Sequence, residues 1–132
     1  MAQQLGLVSL LVADYDEAIN FYRDKLGFEL QEDSPQGDKR WVVVAPQGSA
    51  GTALLLAKAS QPQQLAVVGG QGAGRVWLFL HTDQFWDDYH RMRAAGVQFL
   101  ETPREESYAT VVVFQDLYGN KWDLLQRNQN TA

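Results

Sequence analysis

Hydrophobic and polar positions recur with two different periods along this chain, and the stretch Ser9–Phe28 contains both. Residues Leu5–Val12 are almost wholly apolar, which predicts a β-strand covered on both faces. From Tyr15 to Leu26 apolar residues return every three or four positions, which predicts an amphipathic helix with one apolar stripe. We therefore expect a strand, a helix and then a second strand.

Both ends of this helix carry recognisable signals. Asp14 can accept a hydrogen bond from the first helical turn, and Glu17 can reach back to complete a capping box. Gly27 can adopt the left-handed conformation that ends many helices. The same order of Asp cap, apolar stripe and Gly stop returns 69 residues later, from Asp83 to Gly96. This repeat predicts two copies of one folding unit.

The remaining apolar segments predict strands separated by turns rich in Gly, Pro and Asp, including a turn at Asp33–Lys39. The expected strands of the first half are Phe28–Glu32, Arg40–Ala45 and Thr52–Ala57. Those of the second half are Arg75–Thr82, Val97–Glu101, Tyr108–Phe114 and Lys121–Gln126. Each half thus has the order βαβββ, within one domain of 1–132: a first unit at 1–57, a linker at 58–74 and a second unit at 75–127.

The composition is typical of a soluble globular domain. The chain has 132 residues, of which 45% are hydrophobic and 20% charged, and no apolar run approaches the ~20 residues of a membrane helix. The short apolar run near the N-terminus follows no Lys or Arg, so we interpret it as a strand rather than a signal peptide. The absence of cysteine excludes disulfides and thiolate metal sites, and makes the cytoplasm the expected location.

The net charge of the chain indicates which classes of partner it can bind. A net charge of −5 argues against nucleic acid and against an anionic membrane surface, because both call for a clustered basic face. A small molecule that is neutral or cationic is more compatible with an acidic chain. We therefore expect a small-molecule ligand.

The paired βαβββ units, the segment VADYDEAINFYRDKLGF and the ending DLYGNKWDLL resemble the vicinal oxygen chelate superfamily. This is the group of glyoxalases, bleomycin resistance proteins and extradiol dioxygenases, and the resemblance covers nearly the whole chain. It implies an α+β fold of two half-barrels of mixed sheet that enclose a cavity, and a homodimer. The superfamily ending is usually D-P-x-G-N, and here Leu117 replaces the proline while Gly119 and Asn120 keep the turn.

Members of that superfamily that use a metal resemble one another in the sequence positions of the metal ligands, which are His or Glu. Carried over to this chain, these positions are Leu7, Leu55, Trp77 and Asp123. Only Asp123 can bind a cation, and a divalent metal site needs at least three donors. We therefore expect no metal and no other cofactor. The alternative interpretation of Asp123 is a solvated or hydrogen-bonded carboxylate.

Aromatic residues and histidines are the remaining candidates for a binding site. By strand alternation His81 shares a face with Trp77 and Phe79, and the resemblance makes that face the cavity wall. A histidine bonded to backbone is the plainer interpretation of His81, and His90 is expected on the surface. Six other aromatic residues are expected in the core, namely Phe21, Tyr22, Phe85, Trp86, Tyr89 and Trp122.

Two functions remain open. The first is a protein that binds a small, partly aromatic or cationic molecule in a metal-free cavity, as the resemblance to bleomycin resistance proteins implies. The second is a lyase, isomerase or dioxygenase-like enzyme that works without the metal through His81, Asp123 or an arginine. The expected ligand contacts are Arg40, Trp41, Trp77, Phe79, His81, Arg104, Tyr108 and Asp123.

Overall fold

Two units with separate β-sheets make up residues 2–128, the part of the chain that this computed structural model describes. Unit 1 ends at Gly69, and unit 2 begins at Gly70. The domain predicted from the sequence covers 1–132, and its first residue and residues 129–132 lie outside the described part of the chain. No helix within 2–128 is long and apolar enough to cross a membrane.

Unit 1 contains a four-stranded mixed sheet in the order β1-β4-β3-β2. Its strands are β1 (Leu7–Val12), β2 (Glu29–Gln36), β3 (Lys39–Ala45) and β4 (Ala53–Lys58). Strands β1 and β4 are parallel, and the other neighbours are antiparallel. Alternate residues of β3 and β4, such as Val42, Val44 and Leu56, have no exposed surface, and the first helix packs against these two strands.

That helix begins where the sequence predicts. In α1 (Tyr15–Ile19) the backbone N–H of Glu17 donates to Asp14 Oδ2 at 2.9 Å. The chain then continues as a π-helical segment, Asn20–Lys25, and Gly27 ends it with a φ of +82°. A π-helical turn accommodates one residue more than an α-helical turn over the same path.

The corresponding helix of unit 2 begins differently. Helix α3 (Phe85–Ala94) has Gln84 at its cap position, so the predicted cap at Asp83 is wrong by one residue. The N–H of Gln84 donates to Thr82 Oγ1 at 3.0 Å, and the N–H of Phe85 donates to Gln126 Oε1 at 2.9 Å. Side chains from a neighbouring loop and from another strand thus replace the capping carboxylate.

The two copies therefore differ in length between cap and glycine. Gly27 lies thirteen residues after the cap of α1, whereas Gly96 lies twelve residues after the cap of α3. The π-helical segment of unit 1 accounts for the extra residue, because a π-helical turn contains one residue more than an α-helical turn.

Unit 2 also contains a mixed sheet, with the order β5-β9-β8-β6 and a short strand β7 paired to β8. Its strands are β5 (Val76–His81), β6 (Gln98–Phe99), β7 (Arg104–Glu105), β8 (Ala109–Gln115) and β9 (Lys121–Arg127). Met92 of α3 is fully buried, as are Phe114 and Leu124 of the sheet. The Phe114 ring stacks on that of Trp122 with centroids 5.8 Å apart. The predicted α+β fold with two mixed sheets is confirmed.

Strand β2 is longer than predicted. It continues through Gln36, so that the predicted turn at Asp33–Lys39 is reduced to a hairpin at Gly37 and Asp38. Pro35 is tolerated because β2 is an edge strand, in which one row of N–H groups has no ladder partner. The segment 58–74 contains a short helix, α2 (Pro62–Leu65).

Two predictions about burial are also wrong. Strand β1 is covered on one face only, since Leu10 is fully buried while Leu7 is 40% exposed. Trp86 is 45% exposed, although the other five aromatic residues predicted for the core are buried. The buried stripe of α3 is Phe85, Tyr89 and Met92, and Trp86 points about 100° away from the first of these around the helix. His90 is exposed, as predicted.

Alanine at the two repeated aspartates should have different effects, because only Asp14 caps a helix. We expect Asp14→Ala to lower the free energy of unfolding by about 1 kcal/mol, the usual cost of a lost cap. The matched change Asp83→Ala should alter it by less than about 0.5 kcal/mol. Urea unfolding followed by circular dichroism measures both values, and equal losses would contradict the different caps.

Candidate functional site

A cavity of about 230 Å³ opens in unit 1. It lies at the end of the sheet where β1 and β4 finish and β3 begins, because its lining residues come from those strand ends and from the adjoining helices α1 and α2. The apolar part of the wall consists of Leu11, Trp41, Leu55, Leu56 and Ala57.

Trp41 is the largest apolar group of this wall. It is half-buried and packs, together with Leu55, against a cluster formed by Val43, Ala45 and Ala53. This packing holds the indole from one side and leaves part of its surface toward the cavity. The cavity thus has a flat aromatic group in its wall.

Arg40 organises the polar side of the cavity. Its guanidinium donates to both carboxylate oxygens of Asp33, at 3.1 and 2.6 Å, and to Asp16 Oδ1 at 2.9 Å. The same group lies over the Tyr15 ring, 5.1 Å from its centroid, and the backbone N–H of Arg40 donates to Tyr15 Oη at 3.3 Å. Arg40 therefore ties the start of α1 to strands β2 and β3.

These contacts also set the ionisation of the network. Hydrogen bonds from the Arg40 guanidinium hold the pKa of Asp33 below its usual range. In return, hydrogen bonds to Asp33 and Asp16 raise the pKa of Arg40. The guanidinium is thus permanently charged, and two carboxylates compensate its charge.

Of the predicted ligand contacts, Arg40 and Trp41 both line this cavity, and their contact with a ligand stays a prediction. Sequence reasoning missed the other polar members of the wall, which are Tyr15, Gln36, Lys39, Lys58, Ser60 and Gln64. Their polar character was visible in the sequence, but their convergence depends on strand β2 reaching Gln36 and on α2 lying beside the end of β4.

Other predicted contacts lie on one face of the unit 2 sheet. The register pairs Phe79 with Asp123, and His81 with Leu125 two residues further along. Since strand residues two apart share a face, Phe79 and His81 lie on the face of Asp123. Phe79 is 57% exposed, an unusual state for a phenylalanine on a strand.

Trp77 is not part of this regular alternation. The register shifts between Val76 and Leu78, which makes Trp77 the extra residue of a β-bulge. Its Cβ would lie only 2.8 Å from a Cβ added at Gly72, so glycine is needed there for the chain to pass. The strand alternation that predicted a common face for Trp77 and Phe79 therefore does not apply at this position.

Asp123 is a poorly compensated carboxyl group. Its Oδ1 is buried and accepts no hydrogen bond from the described residues. Burial raises the pKa of Asp123, the positive charge of Arg104 acts to lower it, and the negative charge of Glu101 acts to raise it. The carboxyl thus lies in a setting that disfavours its charged form.

Arg104 is already occupied by nearby carboxylates. Its Nε donates to both oxygens of Glu101, at 3.2 and 3.1 Å, and its Nη1 donates to Glu106 at 2.7 Å. These hydrogen bonds raise the pKa of Arg104. Tyr108, just before β8, is 51% exposed, and its carbonyl accepts from the N–H of Asn128 at 2.9 Å.

The residues present do not fit a metal site of the superfamily type. Leu7 and Leu55 offer no donor atoms, and Trp77 offers only a ring N–H. Within 2–128, no three His, Cys, Asp or Glu side chains lie close enough together to hold a metal ion. Asp123 is the only one of the four carried-over positions with a metal-binding group.

Comparison with protein-family models matches residues 4–124 to the Glyoxalase/Bleomycin resistance protein/Dioxygenase superfamily. The match covers most of the chain, so the chain belongs to this superfamily. The resemblance stated from the sequence is confirmed.

Similar proteins span nearly the same length. An uncharacterized protein of Shewanella frigidimarina is 57% identical over 130 residues, covering 97% of this chain and 96% of the relative. UcmS2, whose crystal structure is known, is 31% identical in sequence to this chain. The superposition covers 95% of this chain and 98% of the UcmS2 chain, with a TM-score of 0.83. TnmS3, an antibiotic binding protein from Streptomyces sp. CB03234, is 30% identical in sequence. Its superposition covers 96% of this chain and 98% of the TnmS3 chain, with a TM-score of 0.80.

Removal of the Asp123 charge should stabilise the chain in a pH-dependent way. Because burial raises its pKa in the folded state, the folded chain holds this proton more tightly than the unfolded chain does. The contribution of Asp123 to stability therefore falls as pH rises through the interval between the unfolded pKa, about 3.9, and the higher folded one. We expect Asp123→Asn to gain stability over the parent between about pH 3 and pH 7.

Urea unfolding midpoints at a series of pH values test this expectation. Asp38→Asn, at the exposed tip of the β2–β3 hairpin, is the control for the loss of one negative charge. If the difference in stability between Asp123→Asn and the parent stays constant with pH, the charged form of the carboxyl is not disfavoured in the folded chain.

Proposed function

We propose that this protein binds a small organic molecule with a flat apolar group, and that it does so without a metal ion. The observation that carries the proposal is the cavity of unit 1, with the Trp41 indole and Leu55 on its apolar side and hydrogen-bonding side chains around them. Small-molecule sites usually combine an apolar wall with convergent polar groups, and this cavity has both, with more polar residues than apolar ones in its wall.

The size of the cavity limits what it can hold. Pockets for drug-sized ligands usually measure about 300–1,000 Å³. At about 230 Å³ the cavity suits a ligand of one or two fused rings, or one flat part of a larger molecule. A planar ring against Trp41 gains stacking in addition to apolar burial.

The relatives support a binding role. TnmS3 is described as an antibiotic binding protein, and its similarity to this chain extends over almost the full length of both. We infer that the present chain likewise holds an organic molecule. The absence of donor atoms at Leu7 and Leu55 supports binding that does not require a metal.

We also propose that the unit 2 face makes ligand contacts of its own. Phe79 presents an exposed ring beside Asp123, a carboxyl with an oxygen that accepts no hydrogen bond within 2–128. Exposed aromatic surface next to an unsatisfied polar group is costly unless something covers it. His81 lies on the same face, and the other residues proposed to contact a ligand are Trp77, Arg104 and Tyr108.

We further propose that the protein is a homodimer and works in the cytoplasm. Each sheet has open edges, at β1 and β2 in unit 1, and open edges are usually covered. Light scattering at micromolar concentration should give about twice the chain mass of 14.8 kDa. A particle of one chain mass would contradict the dimer and leave the binding proposal unaffected.

Loss of the Trp41 ring should weaken binding of a neutral two-ring probe. We expect naphthamide to bind the protein after treatment with EDTA, and Trp41→Ala to weaken this binding about tenfold through lost stacking and apolar contact. Isothermal titration calorimetry measures the affinity. Trp86→Ala removes an exposed indole outside the cavity and should leave it unchanged.

Two results would count against this prediction. Equal affinity of naphthamide for Trp41→Ala and the parent would remove Trp41 from the site. Binding that appears only after a divalent metal is added would contradict the metal-free proposal.

A further inference from the structure

The lining of the unit 1 cavity has a charge opposite to that of the whole chain. The chain carries 16 acidic and 11 basic residues, for a net charge of −5. The cavity wall nevertheless contains three basic residues, Lys39, Arg40 and Lys58, and no Asp or Glu from the described part of the chain. Local charge, rather than net charge, acts on a ligand inside the cavity, because solvent and salt screen distant charges beyond about 10 Å.

Two of these three cations have no compensating carboxylate. The positive charge of Arg40 is matched by Asp33 and Asp16. Lys39 and Lys58 form no ion pair with any residue of 2–128. Lys39 begins β3 and Lys58 ends β4, and these strands are antiparallel neighbours. Both lysines therefore lie at the same end of the sheet, where the cavity opens.

Two neutral polar groups of the wall, Tyr15 and Gln64, also favour an acceptor on the ligand. Tyr15 Oη already accepts the N–H of Arg40, which leaves the hydroxyl proton to donate. Gln64 Oε1 accepts from the N–H groups of Ser60 and Gln61, at 2.8 and 3.2 Å. These bonds fix the orientation of the amide and leave its NH₂ group as the unoccupied end. The cavity thus offers several donors, while these two side chains use their acceptors within the protein.

We propose, on the basis of the binding function above, that the cavity selects a small aromatic carboxylate or a comparable planar organic anion. The ring lies against Trp41 and Leu55, and the anionic group points to Lys39 and Lys58. The acidic composition of the chain favours a neutral or cationic ligand, and the local arrangement of charges reverses that expectation for this cavity.

Three probes with the same two-ring skeleton test this inference, namely naphthoate, naphthamide and naphthylmethylammonium, which differ in charge. Titration calorimetry with the full chain at neutral pH should give the order naphthoate, naphthamide, naphthylmethylammonium from tightest to weakest. Naphthoate should bind about tenfold more tightly than naphthamide, at about two- to fivefold for each lysine. This preference should shrink as salt is raised.

Lysine variants identify the source of the preference. Lys39→Gln and Lys58→Gln should each weaken naphthoate binding about two- to fivefold, and the double variant should bind naphthoate and naphthamide equally. Affinity for naphthamide should stay the same in all of them, which shows that the fold and the apolar wall are intact. Lys25→Gln, which removes an exposed lysine outside the cavity, is the matched control and should leave the preference unchanged.

The outcomes separate this inference from the proposed function. Binding of naphthamide or naphthylmethylammonium at least as tightly as naphthoate overturns the inference and leaves the binding function standing. A loss of preference in Lys25→Gln as large as in Lys39→Gln also overturns it, since net charge would then be the cause. Failure of all three probes to bind up to millimolar concentration overturns the proposed function itself.

Discussion

One helix can cover only one face of a sheet, and the architecture of each unit follows from this constraint. Helix α1 packs on β3 and β4, where Val42, Val44 and Leu56 are fully buried, and α3 packs on β9. The opposite faces are partly buried, with one cluster around Val43 and another around Val111. They also keep exposed apolar groups, such as Leu7 in unit 1 and Phe79 in unit 2. Burial of the helix-covered face stabilises each unit, whereas the opposite face and the sheet ends keep part of their side chains exposed.

The corresponding helices of the two units begin with different capping groups. The cap of α1 is the Asp14 carboxylate, whereas the first N–H groups of α3 use Thr82 and Gln126. The extra residue of the first helix is taken up by a π-helical segment that ends at Gly27. Free backbone donors must be satisfied in both copies, but the partner can come from the adjacent sequence or from a distant strand.

Charge in this protein has to be considered locally. Arg40 is held between Asp33 and Asp16, and Arg104 between Glu101 and Glu106, so neither guanidinium is an uncompensated cation. They are better suited to hold neighbouring elements in position than to attract a ligand by net charge. By contrast, Lys39 and Lys58 at the unit 1 cavity form no ion pair with any residue of 2–128. The buried Oδ1 of Asp123 accepts no hydrogen bond from these residues.

The sequence by itself determined the features that depend on neighbours within a few residues. Local hydrogen bonding and the spacing of apolar residues predict the Asp14 cap, the apolar stripe of α1, the stop at Gly27 and most strand positions. The superfamily is recognisable from sequence motifs. Tertiary structure alone decided the extension of β2 past Glu32, the bulge at Trp77 and the exposure of Trp86. It also decided which polar groups meet at the unit 1 cavity. Register and convergence depend on pairing between residues far apart in the chain, and a local pattern contains no information about such pairing.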